Sequence, residues 1–218
     1  MDSAPEKMSR TLWVGVGLLI VILAVAYALS RVSSQHPRLD NPPVFGQVAD
    51  FVLTNQNHQT VTLADLHGRV WVADIIFTRC AGPCPRMTRQ MKLIQDALPS
   101  ESRAKLVTLT TDPDFDTPDV MKSYAARFEA NPDRWMFLTG TKKAIAALAV
   151  DSLKLTAIEQ KPEDRKDPAD LFIHSTILVV VDQHGRLRGI FETEGEGVDA
   201  AHERSQVIAL VKQLEHER

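Results

Sequence analysis

Two cysteines occur in the 218 residues, and both fall in the short stretch from Phe77 to Met91, FTRCAGPCPRMTRQM. Cys80 and Cys84 are separated by Ala81, Gly82 and Pro83, one residue more than in a C-x-x-C redox pair. A thiolate is both the nucleophile of thiol chemistry and a metal ligand. Two thiolates form a soft site that favours Cu(I) over hard cations. A structural zinc site takes four protein ligands, and the chain offers no further cysteine. The pair can also close into a disulfide, which suits an oxidising compartment. As a purely structural bridge it would constrain the unfolded chain little, because the loop is so short. Soft-metal binding and thiol–disulfide exchange therefore both remain open. So does a peroxidase-like cycle in which one cysteine is oxidised and the other resolves the sulfenic acid.

The neighbouring residues say where the pair sits. Residues 70–77, VWVADIIF, form an apolar run of strand length with Asp74 inside it, as suits a central strand covered on both faces. The cysteines follow at once. Pro85 stands where a first helical turn tolerates proline, and Met87, Met91, Ile94 and Leu98 recur at helical spacing up to Pro99. Thiolates at a helix N-terminus are stabilised by its dipole and free N–H groups, which predicts lowered thiol pKa values. Arg79 and Arg86 flank the pair and add positive charge.

Cu(I) readily takes a third donor, and the chain has seven histidines. His36 lies in a polar segment, His58, His67 and His184 in predicted turns, and His202 and His216 on a polar terminal helix. Each of these reads as a solvated surface residue. His174 differs because it heads the apolar stretch HSTILVVVD, just after the polar loop EQKPEDRKDPAD. A lone histidine on an apolar strand is usually a satisfied core residue. Here the expected topology brings it to the cysteine loop, so Cys80, Cys84 and His174 are the candidate metal ligands, with the cysteines also the candidate redox pair. The loop 159–171 is long and charged and is expected to be mobile, folding over the site when metal binds.

The remaining pattern supplies the frame. Residues 51–63 alternate around a polar turn and predict a hairpin. Residues 105–111 read as a strand. After a loop at 112–116 comes a helix capped by Thr117 with Pro118 at its first position. Residues 135–140 read as a strand, 141–150 as a helix, 172–182 as a strongly apolar strand, 187–193 as its antiparallel partner and 199–216 as the last helix. The fold class expected is α/β, a thioredoxin-like sandwich with an N-terminal hairpin, preceded by a single transmembrane helix. Thioredoxin has a cis-proline near the place of His174, and this sequence has none. The loop Asp112 to Asp116 is expected either to shape a surface near the metal without supplying a ligand, or to be an ordinary turn and helix cap.

Leu12 to Leu29, LWVGVGLLIVILAVAYAL, carries no charge. As a helix it would rise about 27 Å, close to the ~30 Å of a bilayer core. It is longer than the usual core of a cleaved signal peptide. The expected organisation is a short cytoplasmic N-terminus at 1–11, an anchor at 12–29, a polar proline-bearing tether at 30–43 and one copper-binding domain at 44–218. A bacterial inner membrane, with the domain on the periplasmic side, is the simplest setting. The net charge of −3 argues against a nucleic-acid partner, which would call for a basic surface.

Four stretches together resemble the Sco/SenC family of membrane-anchored copper chaperones: FTRCAGPCP, TTDPDFDTPDVMKSYAARF, RWMFLTG and IHSTILVVVDQHGRL. The resemblance covers nearly all of 44–218 and the anchor. It implies Cu(I) or Cu(II) held by both cysteines and the histidine, and delivery to the dinuclear copper centre of cytochrome c oxidase. The implied partners are a copper-receiving oxidase subunit and an upstream copper donor or thiol reductant. Some members act as thiol–disulfide reductants, so a membrane-tethered oxidoreductase is the alternative function. The chain departs from the family at two places. The family often has Cys-Pro-Asp-x-Cys, and an aspartate just before the histidine where this chain has Ile173.

Overall fold

The computed structural model describes residues 5–33, 42–155, 157–159, 172–174 and 176–217, with side chains over 12–27, 42–155 and 176–217. The chain divides into two compact units, Met1–Arg38 and Leu39–Arg218. In the first, helix α1 (Pro5–Ser33) runs for 29 residues. Every side chain from Leu12 to Tyr27 is exposed. Among the described residues no helix is long and apolar enough to cross a membrane. The described side chains of α1 stop at Tyr27, short of the end of the apolar run at Leu29.

The second unit is built on one mixed sheet. Its strands are β1 (Gly46–Gln47), β2 (Val52–Asn55), β3 (Thr60–Thr62), β4 (Trp71–Ile76), β5 (Lys105–Thr110) and β6 (Trp135–Thr139). They are joined by β9 (Ile177–Val181) and β10 (Arg186–Glu192). The order across the sheet is β1-β10-β9-β4-β5-β6-β2-β3. β4, β5 and β6 are parallel, while β9 and β10 run antiparallel. The predicted hairpin forms as β2 and β3 and adds antiparallel to the edge of β6. Every residue of β4 is buried, as its unbroken apolar run requires.

Side-chain alternation splits β4 between two cores. Val72 and Ile76 face a cluster containing Cys84 and Met91 of α3 (Cys84–Ala97), Met121 and Tyr124 of α4 (Pro118–Arg127), and Val207 and Leu210 of α6 (Ala200–His216). Asp74 lies between them on the same strand face. Trp71, Ala73 and Ile75 face the other cluster, with Leu53 and Val61 of the hairpin. Ile145 of α5 (Lys142–Ala146) and Leu148 of the π-helical turn Ala147–Ser152 complete that side. The helix expected at 141–150 is thus α-helical only at its start. Six residues of the expected tether are described: 30–33 continue α1, and of Pro42 and Pro43 the first is buried with its carbonyl accepting from Arg188 Nη2 at 3.0 Å.

One expected element needs correction. The strand predicted over 172–182 is two strands. β9 (Ile177–Val181) stays in the main sheet, whereas β8 (Phe172–His174) pairs antiparallel with β7 (Ala157–Glu159) in a separate ribbon. The ladder between β9 and β10 ends at Ile177↔Glu192, and His174 pairs instead with Ala157. The polar residues His174, Ser175 and Thr176 interrupt the apolar run where the two strands separate, and they are the signal in the sequence that marks the change of partner. Most of the loop at 159–171 lies outside the described residues.

Candidate metal centre

β4 delivers the cysteine loop to one end of the sheet. After Ile76 the chain turns through Phe77, and the Cys80 amide donates to the Phe77 carbonyl at 3.2 Å. The Gly82 amide points at Cys80 Sγ at 3.4 Å, and the Phe77 amide at Cys84 Sγ at 3.5 Å. Both are distances at which an amide supports a sulfur acceptor. α3 begins at Cys84, with Pro83 at its N-cap and proline again in its first turn. Cys84 is fully buried, Cys80 is half-buried, and no disulfide joins them. The Cys80 thiol is a hydrogen-bonding neighbour of Cys84. The two sulfurs therefore lie together, one reachable from solvent and one behind it.

The expectation of a lowered pKa fails at Cys84. Burial pushes its thiol well above the ordinary 9.0, and the neighbouring Cys80 and the charge of Asp74 act in the same direction. Only the Phe77 amide opposes them. At full burial the desolvation of a thiolate outweighs the helix terminus. The charge argument also changes. Arg79 is paired with the buried Asp112 at 2.5 Å, and its guanidinium stacks 4.1 Å over the Phe115 ring. Arg86 forms a two-pronged pair with Glu194, Nε to Oε1 and Nη2 to Oε2, each at 2.7 Å. Both flanking cations are thus compensated by acids remote in sequence.

The aspartate loop braces the cysteine loop from below. Asp116, fully buried, accepts from the Thr78 amide at 3.1 Å and from the hydroxyls of Thr78 and Thr110. Burial raises its pKa, against the pull of those hydrogen bonds. Thr117 caps α4 by accepting from the Val120 amide at 3.4 Å, as its place before Pro118 predicts. Sequence reading assigned neither Asp116 to Thr78 nor Glu194 to Arg86. The partners are 38 and 108 residues apart, and no periodic pattern links them.

His174 ends β8, the strand that precedes β9 in the chain. β9 pairs antiparallel with β4, Ala73 opposite Val179 and Trp71 opposite Val181. The ladder ends at Ala73↔Val179, and β9 begins two residues before Val179, at Ile177. His174 lies three positions before Ile177, at the end of β8. Among the described residues no group of three or more His, Cys, Asp or Glu side chains is placed to hold a metal, and the His174 side chain lies outside them. The other histidines behave as surface residues where described. His58 is exposed and bonds Asp119 at 3.0 Å, and the exposed His67 and His184 meet edge to face at 6.5 Å. His202 and His216 are exposed, and His36 is outside the described residues.

An adjacent pair of unbridged cysteines at the junction of a central strand and its helix, on a sheet covered on both faces, defines a thioredoxin-like protein. The family model for SCO1/SenC matches residues 42–209, and the chain belongs to that family. It is 35% identical over 147 residues to the SCO1 protein homolog of Bacillus subtilis, covering 66% of this chain and 73% of the relative. Its fold resembles that of BsSco, described as a member of the Sco family of cytochrome c oxidase assembly proteins with a disulfide switch. The TM-score is 0.67 at 27% identity, over 83% of this chain and 99% of that one. It also resembles copper-bound ScoI of Bradyrhizobium japonicum, with a TM-score of 0.63 at 23% identity, over 77% of this chain and 99% of that one.

Proposed function

We propose that the chain is a membrane-anchored copper chaperone that carries copper on Cys80, Cys84 and His174 and helps assemble the copper centre of cytochrome c oxidase. The observation that carries this reading is the pair of adjacent sulfurs just beyond the end of β4, with no disulfide across them; β8, which ends at His174, precedes β9, the strand that lies beside β4, and this supports His174 as the third donor. Two soft donors and one borderline donor suit Cu(I), and an imidazole nitrogen also suits Cu(II). The half-exposed Cys80 offers the side from which cargo enters and leaves. Family membership and the assembly role described for BsSco support an oxidase subunit as recipient.

The anchor is residues 12–29 within α1, with 1–11 cytoplasmic, 30–43 a tether and 44–218 the periplasmic copper domain. Exposed apolar side chains on all faces of α1 support this, because such a helix finds no cover in water. A reporter joined to the C-terminus is expected to be active only outside the cytoplasm, and cytoplasmic activity would overturn the placement.

The test of the site is copper stoichiometry in the reduced, detergent-solubilised chain. The wild type should hold one copper, and Cys80→Ser and Cys84→Ser should hold none tightly. His174→Ala should keep both thiols and lose copper on dialysis. The adjacency of the thiols favours a second reading, a thiol–disulfide oxidoreductase. Equal copper retention in the wild type and His174→Ala would leave only a dithiol and prefer that reading.

A further inference from the structure

The Arg86–Glu194 pair joins two parts of the molecule that the copper site needs together. Arg86 belongs to the first turn of α3, two residues after Cys84. Glu194 follows β10, and its own backbone carbonyl accepts from the Thr176 hydroxyl at 3.3 Å. Thr193, next to it, donates its amide and its hydroxyl to the Thr176 carbonyl, each at 2.7 Å. Thr176 stands two residues after His174, where the chain passes from β8 to β9. A continuous set of contacts thus runs from the Cys84 turn through Arg86, Glu194 and Thr193 to Thr176.

We propose that the Arg86–Glu194 pair is a positioning clamp that fixes the His174 segment relative to the Cys80–Cys84 loop, so that the histidine completes the copper site. The two-pronged geometry matters, because a planar guanidinium meeting a carboxylate through two parallel bonds fixes direction as well as distance. The remaining covalent route between the cysteines and His174 is long, and the β7–β8 ribbon shares no strand with the main sheet. The Thr176 anchorage therefore limits where β8 ends. Arg86 is largely exposed, so the pair contributes little to folding, and its removal should leave the domain intact.

This inference rests on the copper reading above, and its test separates the two. Copper affinity is measured by competition with a Cu(I) chelator on the reduced full chain in detergent, for Glu194→Gln, Arg86→Gln, His174→Ala and the double variant Glu194→Gln/His174→Ala. Loss of a residue that orients a metal ligand typically weakens binding by about 10-fold, and that loss is expected in both single clamp variants. In the His174→Ala background, Glu194→Gln should cost nothing more. The swap Arg86→Glu/Glu194→Arg should restore part of the affinity. The dithiol reduction potential should be the same in Glu194→Gln and in Glu194→Gln/His174→Ala, because the histidine takes no part in it. Wild-type affinity in Glu194→Gln, with His174→Ala weakened, overturns the clamp and leaves the copper reading standing. An equal loss from Glu194→Gln with and without His174 also overturns it, because the pair would then act on the thiolates. No copper on the wild type would overturn the copper reading itself.

Discussion

The carboxylate of Asp116 accepts both the amide and the hydroxyl of Thr78, two residues before Cys80, from a position fully shielded from solvent. The same carboxylate accepts the Thr110 hydroxyl at the end of β5. One side chain thus ties the cysteine loop to the neighbouring strand. Its place is fixed from both directions, since the Asp116 amide bonds the Asp112 carbonyl at 2.8 Å and Asp112 pairs with Arg79.

Asp116→Ala should therefore be among the more damaging substitutions outside the cysteines. It leaves buried donors without acceptors, each costing about 1–3 kcal/mol. Urea unfolding should show a loss of at least about 2 kcal/mol, and Cys80 in the reduced protein should react faster with a thiol reagent. Asp116→Asn retains one acceptor oxygen and should lie between the two. An alanine variant as stable as the wild type would show that the loop does not depend on this brace.

The two thiols should behave unequally. Cys80 is half-buried, whereas Cys84 is fully buried with its pKa raised by burial, by Cys80 and by Asp74. Brief alkylation of the reduced native protein near neutral pH should label Cys80 and spare Cys84, as read by peptide mass. The raised folded pKa also sets a sign. The contribution of Cys84 to stability is complete below the unfolded thiol pKa and declines as pH rises past about 9, because the unfolded chain can ionise and the folded one resists. Cys84→Ala should remove that part of the alkaline decline. Equal labelling of both cysteines would contradict the buried placement.

Asp182 gives the opposite pH sign, at the far end of β9. Burial alone would raise its pKa, but Arg188, the amide and guanidinium of Arg186 and the His184 amide together hold it below 3.8. Arg188, itself 3% exposed, reaches Asp182 at 2.8 Å and Glu217 at 3.0 Å, and also binds the Pro42 carbonyl. A depressed carboxylate contributes stability above its unfolded pKa, and that contribution is lost as pH falls through the folded value. Asp182→Asn should cost roughly 3 kcal/mol at neutral pH, as expected when one partner of a buried pair is removed. Denaturant curves should show the difference from wild type shrinking below about pH 4. A gap that stays constant down to pH 2 would assign the loss to something other than this ionisation.

What was legible in the sequence follows from how local each signal is. β4, α3 and the Thr117 cap were readable because an apolar run, a helical repeat and a cap-proline pair are written in consecutive residues. The placement of Cys80 and Cys84 at a strand–helix junction came with them. The break between His174 and Ile177 is marked only by the short polar run His174-Ser175-Thr176, because the apolar residues on either side of it suit a ribbon strand and a sheet strand equally. The effective charge of the site was also hidden. Arg79 and Arg86 looked like free cations until Asp112 and Glu194 arrived from distant elements. The helix-terminus argument for a low Cys84 pKa was sound for an exposed thiol. It lost to desolvation because the first turn of α3 points Cys84 into the core.

The adjacency of the two sulfurs leads to the last prediction, that copper binding and disulfide formation exclude each other. Closing the bond removes two electrons and two protons from the thiols and joins the sulfurs at about 2.05 Å, leaving neither as a thiolate donor. The oxidised chain should therefore retain no tightly held copper after dialysis, and reduction with a dithiol should restore one equivalent. Copper bound first should in turn slow alkylation of Cys80 and delay its oxidation by a disulfide reagent. His174→Ala should leave the oxidation and reduction of the pair unchanged while copper retention falls. The measurement is metal content beside free-thiol count, taken on the same samples at each stage of oxidation. Copper held at full stoichiometry by protein whose thiols have both titrated away would place the metal elsewhere on the chain, and the cysteine pair would then be a redox device alone.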